Sequence, residues 1–201
     1  MGERIRIPHD AGEFFERFFP EQFARDRDRY PRTDSPGAAL FEVFGVGAWR
    51  IKIDAGHLIV KRGRGRDVLL QIGVSSVDFE AIFVERAQRE VDVTGDLSDT
   101  SRDVFKPLFV DSAKGSALAL PGGGSPPTLA FRLHHDGTAR HLFVTPGPSG
   151  RTAPRTTISM DLEDFLALLS GRRSAGLLFV LGRLRIRGDV LYAVRMRSLL
   201  S

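Results

Sequence analysis

The sequence of 201 residues contains no cysteine, which excludes disulfide bonds, thiolate catalysis and every metal site built on cysteine ligands. No apolar run approaches the ~20 residues that a transmembrane helix needs. Residues 1–10 carry no apolar stretch of the kind that signal peptides contain. With 42% hydrophobic residues, the chain can nevertheless bury a sizeable core. We therefore expect a soluble, cytoplasmic protein.

A strong excess of positive charge is also lacking, because 25 acidic residues offset 29 Lys and Arg. The net charge of +4 is spread along the chain, whereas nucleic-acid-binding proteins concentrate theirs in a patch or stripe. The densest basic run, Lys-Arg-Gly-Arg-Gly-Arg at 61–66, has no aromatic residue on which a base would stack. We interpret this run as a solvated turn and expect no nucleic-acid partner.

The histidines give no recognisable metal site. His134, His135 and His141 are candidate ligands, with Asp136 as a carboxylate beside them. Adjacent residues on a strand point to opposite faces, and this spacing fits no common ligand pattern. We expect no bound metal and no cofactor.

Catalytic constellations are not recognisable either. Ser149 lacks the strand–Gly-x-Ser-x-Gly–helix context of an activated nucleophile. Asp161, Glu163 and Asp164 are close together, but they suit the positive N-terminal end of a helix and are explained by helix capping. No nucleophile, base and orienting group come together, so we expect a protein that is not an enzyme.

The hydrophobic periodicity indicates an α+β fold. Alternating or short apolar runs predict strands at 49–54, 57–61, 68–74, 129–134, 140–144 and 157–160. Helical spacing of apolar residues predicts helices at 13–23, 161–170 and 190–200. Pro20 is expected to end or kink the first helix, and Ser75 to cap a further helix that follows the strand at 68–74.

A segment rich in Pro and Gly, 121–127, is the strongest linker signal and divides the chain into halves at 10–120 and 128–201. Both halves show strands followed by an acidic helix start. The pattern predicts an internal duplication in which 48–83 and 129–169 superpose as strand–strand–strand–helix units. Because the linker is short, the two sheets can also be continuous and form one compact unit.

The C-terminal third carries a recognisable set of motifs. They are Thr-Ile-Ser-Met at 157–160, Asp-Phe-Leu-Ala-Leu-Leu-Ser-Gly at 164–171, Phe179, Gly-Arg-Leu-Arg-Ile-Arg-Gly-Asp at 182–189 and an amphipathic closing helix. Together they resemble the sterol-carrier-protein (SCP-2-like) family, clearly in residues 128–200 and more weakly in 10–120. The resemblance implies a second short helix at 174–181. It also implies a mostly antiparallel sheet covered by helices that enclose an apolar tunnel for lipids.

Four residues are the expected lining of such a site: Phe165, Leu169, Phe179 and Val194. Each falls on the apolar stripe of its segment. The implied function is non-catalytic binding, with transfer, of a lipid, fatty acyl chain or sterol-like compound, and the last helix would touch anionic membranes transiently. The alternatives are a ligand-free packing or oligomerisation module and an enzyme accessory subunit. The oligomeric state stays open.

Overall fold

The computed structural model describes residues 6–30, 34, 37–94, 96–98, 127–148 and 152–200. The predicted linker lies outside these ranges except for Pro127. The strands are β1 (Ala38–Phe44), β2 (Gly47–Asp54), β3 (His57–Arg62), β4 (Val68–Ser75), β5 (Leu129–His135), β6 (Thr138–Pro146), β7 (Thr156–Asp161) and β8 (Arg185–Gly188).

Besides the short 3₁₀ helix Arg27–Arg29, five helices accompany these strands in the described ranges. Helix α1 covers residues 11–25, in which α-helical Ala11–Glu13 and Phe19–Arg25 flank a π-helical turn, Phe14–Phe18. Helix α2 covers residues 76–94, with Ser76–Phe79 and Glu85–Thr94 flanking the π-helical turn Glu80–Val84. The remaining helices are α3 (Leu162–Leu169), α4 (Ala175–Val180) and α5 (Val190–Leu200).

The eight strands of the described residues form one sheet in the order β3-β2-β1-β4-β6-β5-β7-β8. Five of its seven pairings are antiparallel, which confirms the predicted α+β class with a mostly antiparallel sheet. β4 pairs with β6 across the predicted boundary between the halves. The strands of both halves therefore belong to the same sheet.

The start of α1 is set by local hydrogen bonds. The Asp10 side chain accepts from the amide of Glu13 at 2.8 Å, and the Glu13 carboxylate accepts from the amide of His9 at 2.8 Å. That amide and the neighbouring Arg17 hold the pKa of Glu13 below its usual value. The helix continues beyond Pro20, because this residue lies in the first turn of Phe19–Arg25, where a missing amide donor is tolerated. Pro20 therefore does not end the helix.

Aromatic side chains fill the space between α1, α2 and the first four strands. The Phe15 ring stacks on Trp49 at 4.9 Å between centroids and lies 4.8 Å from Phe41. Phe79 of α2 joins the cluster 5.7 Å from Phe15. The Trp49 indole Nε1 donates to Glu16 Oε1 at 3.0 Å, which satisfies the one polar atom of this buried ring. The described part of this half therefore has an aromatic core between its helices and the sheet.

The order of strands corrects the predicted internal superposition. β1, which the periodicity did not reveal, lies between β2 and β4, antiparallel to the former and parallel to the latter. In the second half, β5 is antiparallel to β6 and parallel to β7. β1, β2 and β4 therefore correspond to β5, β6 and β7, and the proposed match of 48–83 with 129–169 starts one strand too late. An internal duplication in the sequence stays a prediction.

Candidate ligand-binding cavity

A cavity of about 490 Å³ lies between the sheet and the helices of the second half. This volume is typical of sites for small organic ligands, which occupy about 300–1,000 Å³. The cavity is lined by Leu129, Phe131, Ile158, Met160, Leu168, Leu169, Gly171, Arg173, Ser174, Ala175, Gly176, Phe179, Leu184, Ile186, Val190, Ala193 and Val194.

The floor of the cavity is one face of strands β5, β7 and β8. Phe131 pairs with Ile158, and Ile158 pairs in turn with Ile186, so the three side chains form a row across the sheet. Residues two apart on a strand share a face, which adds Leu129 and Met160 to the same surface. The alternation that predicted β5 and β7 from the sequence is thus the property that makes this floor apolar.

The roof consists of the C-terminal end of α3, the short helix α4 and the start of α5. Helix α3 ends at Leu169 and is followed by Gly171, whose φ of 71° lies in the left-handed region that glycine tolerates. Ser174 then caps α4 by accepting from the amide of Leu177 at 3.2 Å. Of the six residues of α4, Leu178 is buried, while Phe179 and Val180 are 56% and 83% exposed. Leu178, with the partly buried Ala175, therefore anchors this part of the roof in the core.

The structure places three of the four expected lining residues around the cavity. Leu169 on α3, Phe179 on α4 and Val194 on α5 all contribute to its wall. Phe165 does not line it, because this side chain is buried one turn earlier on α3 and packs against Phe131 with 5.1 Å between ring centroids. The binding of a ligand by these residues stays a prediction.

One polar cluster adjoins the cavity, and the sequence did not reveal it. The side chain of Asp164 is fully buried and pairs with Arg173, and its Oδ2 lies 2.7 Å from Nε of Arg183. Asp164 lies in the first turn of α3, as expected, but its carboxylate also joins α3 to the loops before α4 and β8, and the N-cap residue Asp161 makes no capping hydrogen bond through its side chain. No spacing signal could have found this cluster, because its two arginines come from separate loops.

Of the other candidate side chains, Ser149 lies outside the described residues, whereas His135 and Asp136 make contacts at the surface. Asp136, at the tip of the β5–β6 hairpin, accepts from Nη1 of Arg89 on α2 at 3.1 Å, and His135 lies beside the same guanidinium. In the part of the chain that the structure describes, no group of three or more His, Asp or Glu side chains could hold a metal ion. Nor does any helix of these residues have the length and apolarity to cross a membrane.

Several solved structures are similar to parts of this chain. The apo sterol carrier protein 2 from Yarrowia lipolytica is 17% identical over 62% of this chain and 88% of its own, with a TM-score of 0.34. Sterol carrier protein 2 from Aedes aegypti, solved in complex with palmitate, is 15% identical. The similarity covers 52% of this chain and 97% of that protein, with a TM-score of 0.36. Sterol carrier protein domain 2 of Helicoverpa armigera is 16% identical. The similarity covers 61% of this chain and 84% of that domain, with a TM-score of 0.33.

No curated protein sequence is significantly similar to this chain. The match to a family is confined to the second part of the molecule, which contains every strand and helix of the cavity. Residues 113–201 match the SCP-2 sterol transfer family, and this confirms the resemblance that the sequence motifs indicated.

Proposed function

We propose that the cavity of the second half binds the apolar part of a lipid, a fatty acyl chain or a sterol-like compound without catalysing a reaction. The observation that carries this proposal is a volume of about 490 Å³ whose lining is apolar except at Arg173 and Ser174. The match of this segment to a sterol transfer family supports the same ligand class.

Binding would be driven by the removal of apolar ligand surface from water, at about 25 cal/mol per Å². Entry needs a movable element, and α4 suits this role because Leu178 is its one buried residue. The larger apolar side chains of α3 hold that helix on the sheet, so α4 can move while the floor keeps its shape. We therefore place the entrance at α4.

Transfer requires contact with a membrane, and the surface near α4 has suitable chemistry. Leu181, directly after α4, and Leu191, on α5 between the lining residues Val190 and Val194, are 60% and 74% exposed. Arg195, one turn after Leu191, and Arg183, two residues after Leu181, place positive charge beside this apolar patch. An apolar patch bordered by cations fits the surface of an anionic bilayer.

The test uses the full chain. Native mass spectrometry of freshly purified protein should detect a bound amphiphile, and a fluorescent fatty acid should bind saturably with one molecule per chain. Ligand transfer to vesicles that contain phosphatidylserine should be faster than transfer to phosphatidylcholine vesicles. A dimer that carries no ligand and binds neither fatty acid nor sterol would contradict the proposal and favour the packing module.

A further inference from the structure

The face of the sheet that lies opposite the cavity carries a row of polar positions in the second half. The cavity floor takes up one face of β5, β7 and β8, and successive residues of a strand point to opposite faces. Arg132, Ser159 and Arg185, each next in sequence to a floor residue, therefore lie on the other face. Arg132 pairs in register with Ser159, and Ser159 with Arg185, so these positions form a row across three strands.

Two further basic residues extend this row. His141 of β6 pairs in register with Arg132, and Arg187 lies two residues after Arg185 on β8. The side chains of all four basic residues are exposed. Neighbouring strands lie about 4.8 Å apart, so Arg132 and Arg185, two strands apart, are separated by about 10 Å. We call the surface formed by Arg132, His141, Arg185 and Arg187 the basic sheet face.

The charge of the basic sheet face is not neutralised within the described parts of the chain. No carboxylate of the described residues forms an ion pair with Arg132, Arg185 or Arg187. Within β5 to β8, Asp161 is the one acidic residue, and it pairs in register with His134 at the end of the strands. One carboxylate beside three guanidinium groups leaves a net positive surface.

The position of this surface in the fold restricts what it can meet. The helices that cover the cavity lie on the other side of the sheet, so a molecule that touches a bilayer through α4 turns the basic sheet face towards solution. Base stacking in single-stranded nucleic acid needs exposed aromatic rings. Phe143, the aromatic residue next to the row on β6, is half-buried. These features favour a protein partner from solution over a membrane or a nucleic acid.

We propose that the basic sheet face is a docking surface for an acidic surface of another protein. Charge complementarity is the argument, because three arginines with no carboxylate partner in the described chain stand on one exposed surface. A guanidinium binds a carboxylate in a bidentate manner. The half-buried hydroxyl groups of Ser159 and Thr157, which pair in register with Arg185 and Arg187, add hydrogen-bond donors between the cations. This docking does not depend on which ligand the cavity takes.

The experiment uses the full chain and a fluorescein-labelled poly-L-glutamate peptide as the probe, with fluorescence anisotropy as the measurement. The wild type should bind the peptide, more weakly as the salt concentration rises. Replacement of Arg132, Arg185 and Arg187 by serine should weaken binding by about tenfold, the combined size expected for three exposed charge pairs. Uptake of a fluorescent fatty acid should not change, because these side chains point away from the cavity.

Replacement of Arg62, Arg64 and Arg66 by serine is the matched control, since it removes the same charge from the turn between β3 and β4. This control should keep the wild-type affinity for the peptide. Equal weakening in both variants would contradict the proposal, because net charge alone would then explain the binding. If the wild type binds poly(U) RNA or phosphatidylserine vesicles more tightly than the peptide, and the variant of the basic sheet face loses that binding, the proposal is wrong. Self-association that the same three substitutions abolish would also contradict it. Should that variant not fold, Arg132→Ser alone must weaken peptide binding by about threefold.

Discussion

The ring of Phe165 lies 5.1 Å from the ring of Phe131, and the two planes are tilted by 52°. Phe131 lines the cavity from the sheet, whereas Phe165 is 4% exposed and lies outside the lining. Phe165 therefore supports the apolar floor from the side of α3. This relationship separates residues that hold the cavity open from residues that a ligand would touch.

Replacement of Phe165 by alanine should lower the free energy of unfolding by about 3–5 kcal/mol, because it leaves a void behind Phe131 in a packed region. Leu169→Ala should cost less, since the half-buried Leu169 already borders open volume. Urea unfolding of the two variants measures the difference. Equal losses would show that Leu169 is packed like a core residue.

Leu169→Trp tests whether the cavity is open. The indole ring of the tryptophan should enter the cavity. It should leave the free energy of unfolding nearly unchanged and block the uptake of a fluorescent fatty acid. Thermal unfolding and ligand titration on this one variant provide both measurements. A loss of about 1–3 kcal/mol, the usual cost of overfilling a packed site, would contradict the presence of free volume beside Leu169.

Replacement of Arg62, Arg64 and Arg66 by serine should leave both folding and ligand uptake nearly unchanged. Arg62 lies 3.9 Å from a Glu16 oxygen and Arg64 pairs with Glu42, but both arginine side chains are largely exposed. Exposed ion pairs of this kind contribute about 0.2–1 kcal/mol each. The turn also lies between β3 and β4, whereas the cavity is bounded by β5, β7 and β8.

The same triple variant tests the interpretation of the basic run as a solvated turn. Binding of single-stranded RNA should be weak in the wild type and should not change in the variant. Salt-dependent RNA binding that the three substitutions abolish would contradict this interpretation, because phosphate contacts weaken steeply as the salt concentration rises.

The environment of Tyr192 predicts that the stability of the protein falls at alkaline pH. Its hydroxyl donates to the carbonyl oxygen of Pro127, which ties α5 to the residues before β5. Burial, with a smaller contribution from the negative charge of Asp189, raises the pKa of Tyr192 to about 12. In the unfolded chain, the pKa of a tyrosine is ~10. The folded state thus retains the proton over a range in which the unfolded state has lost it.

The stability that Tyr192 contributes should therefore be fully present below about pH 10 and fall as the pH rises towards 12. Tyr192→Phe should be less stable at neutral pH by about 0.5–1.5 kcal/mol, because it removes one hydrogen bond. Denaturant titrations from pH 8 to pH 12 should show the wild type losing this advantage over the variant. A difference that stays constant over the whole range would contradict the raised pKa.

Strands β5 and β7 and helix α3 could be predicted from the sequence because their signals are local, and the prediction of a helix at 161–170 agrees with Leu162–Leu169. The helix at 174–181 that the family resemblance implied agrees with Ala175–Val180, whereas the periodicity did not reveal the short strand β8. Ser75 caps the start of α2, accepting from the amide of Asp78 at 3.1 Å as expected. β1 was missed because its burial is nearly continuous, and a strand buried on both faces lacks alternation.

What the sequence by itself determined is the period of each segment and therefore which side chains share a face. Phe165 and Leu169 are one turn apart and lie on the same stripe of α3, so periodicity treats them alike. Only the tertiary structure decided that Phe165 meets another ring and that Leu169 borders a cavity. The physical reason is that free volume depends on how side chains from separate strands and loops fill a common space. The burial of Asp164 between two arginines that are distant in the sequence depends on the same assembly.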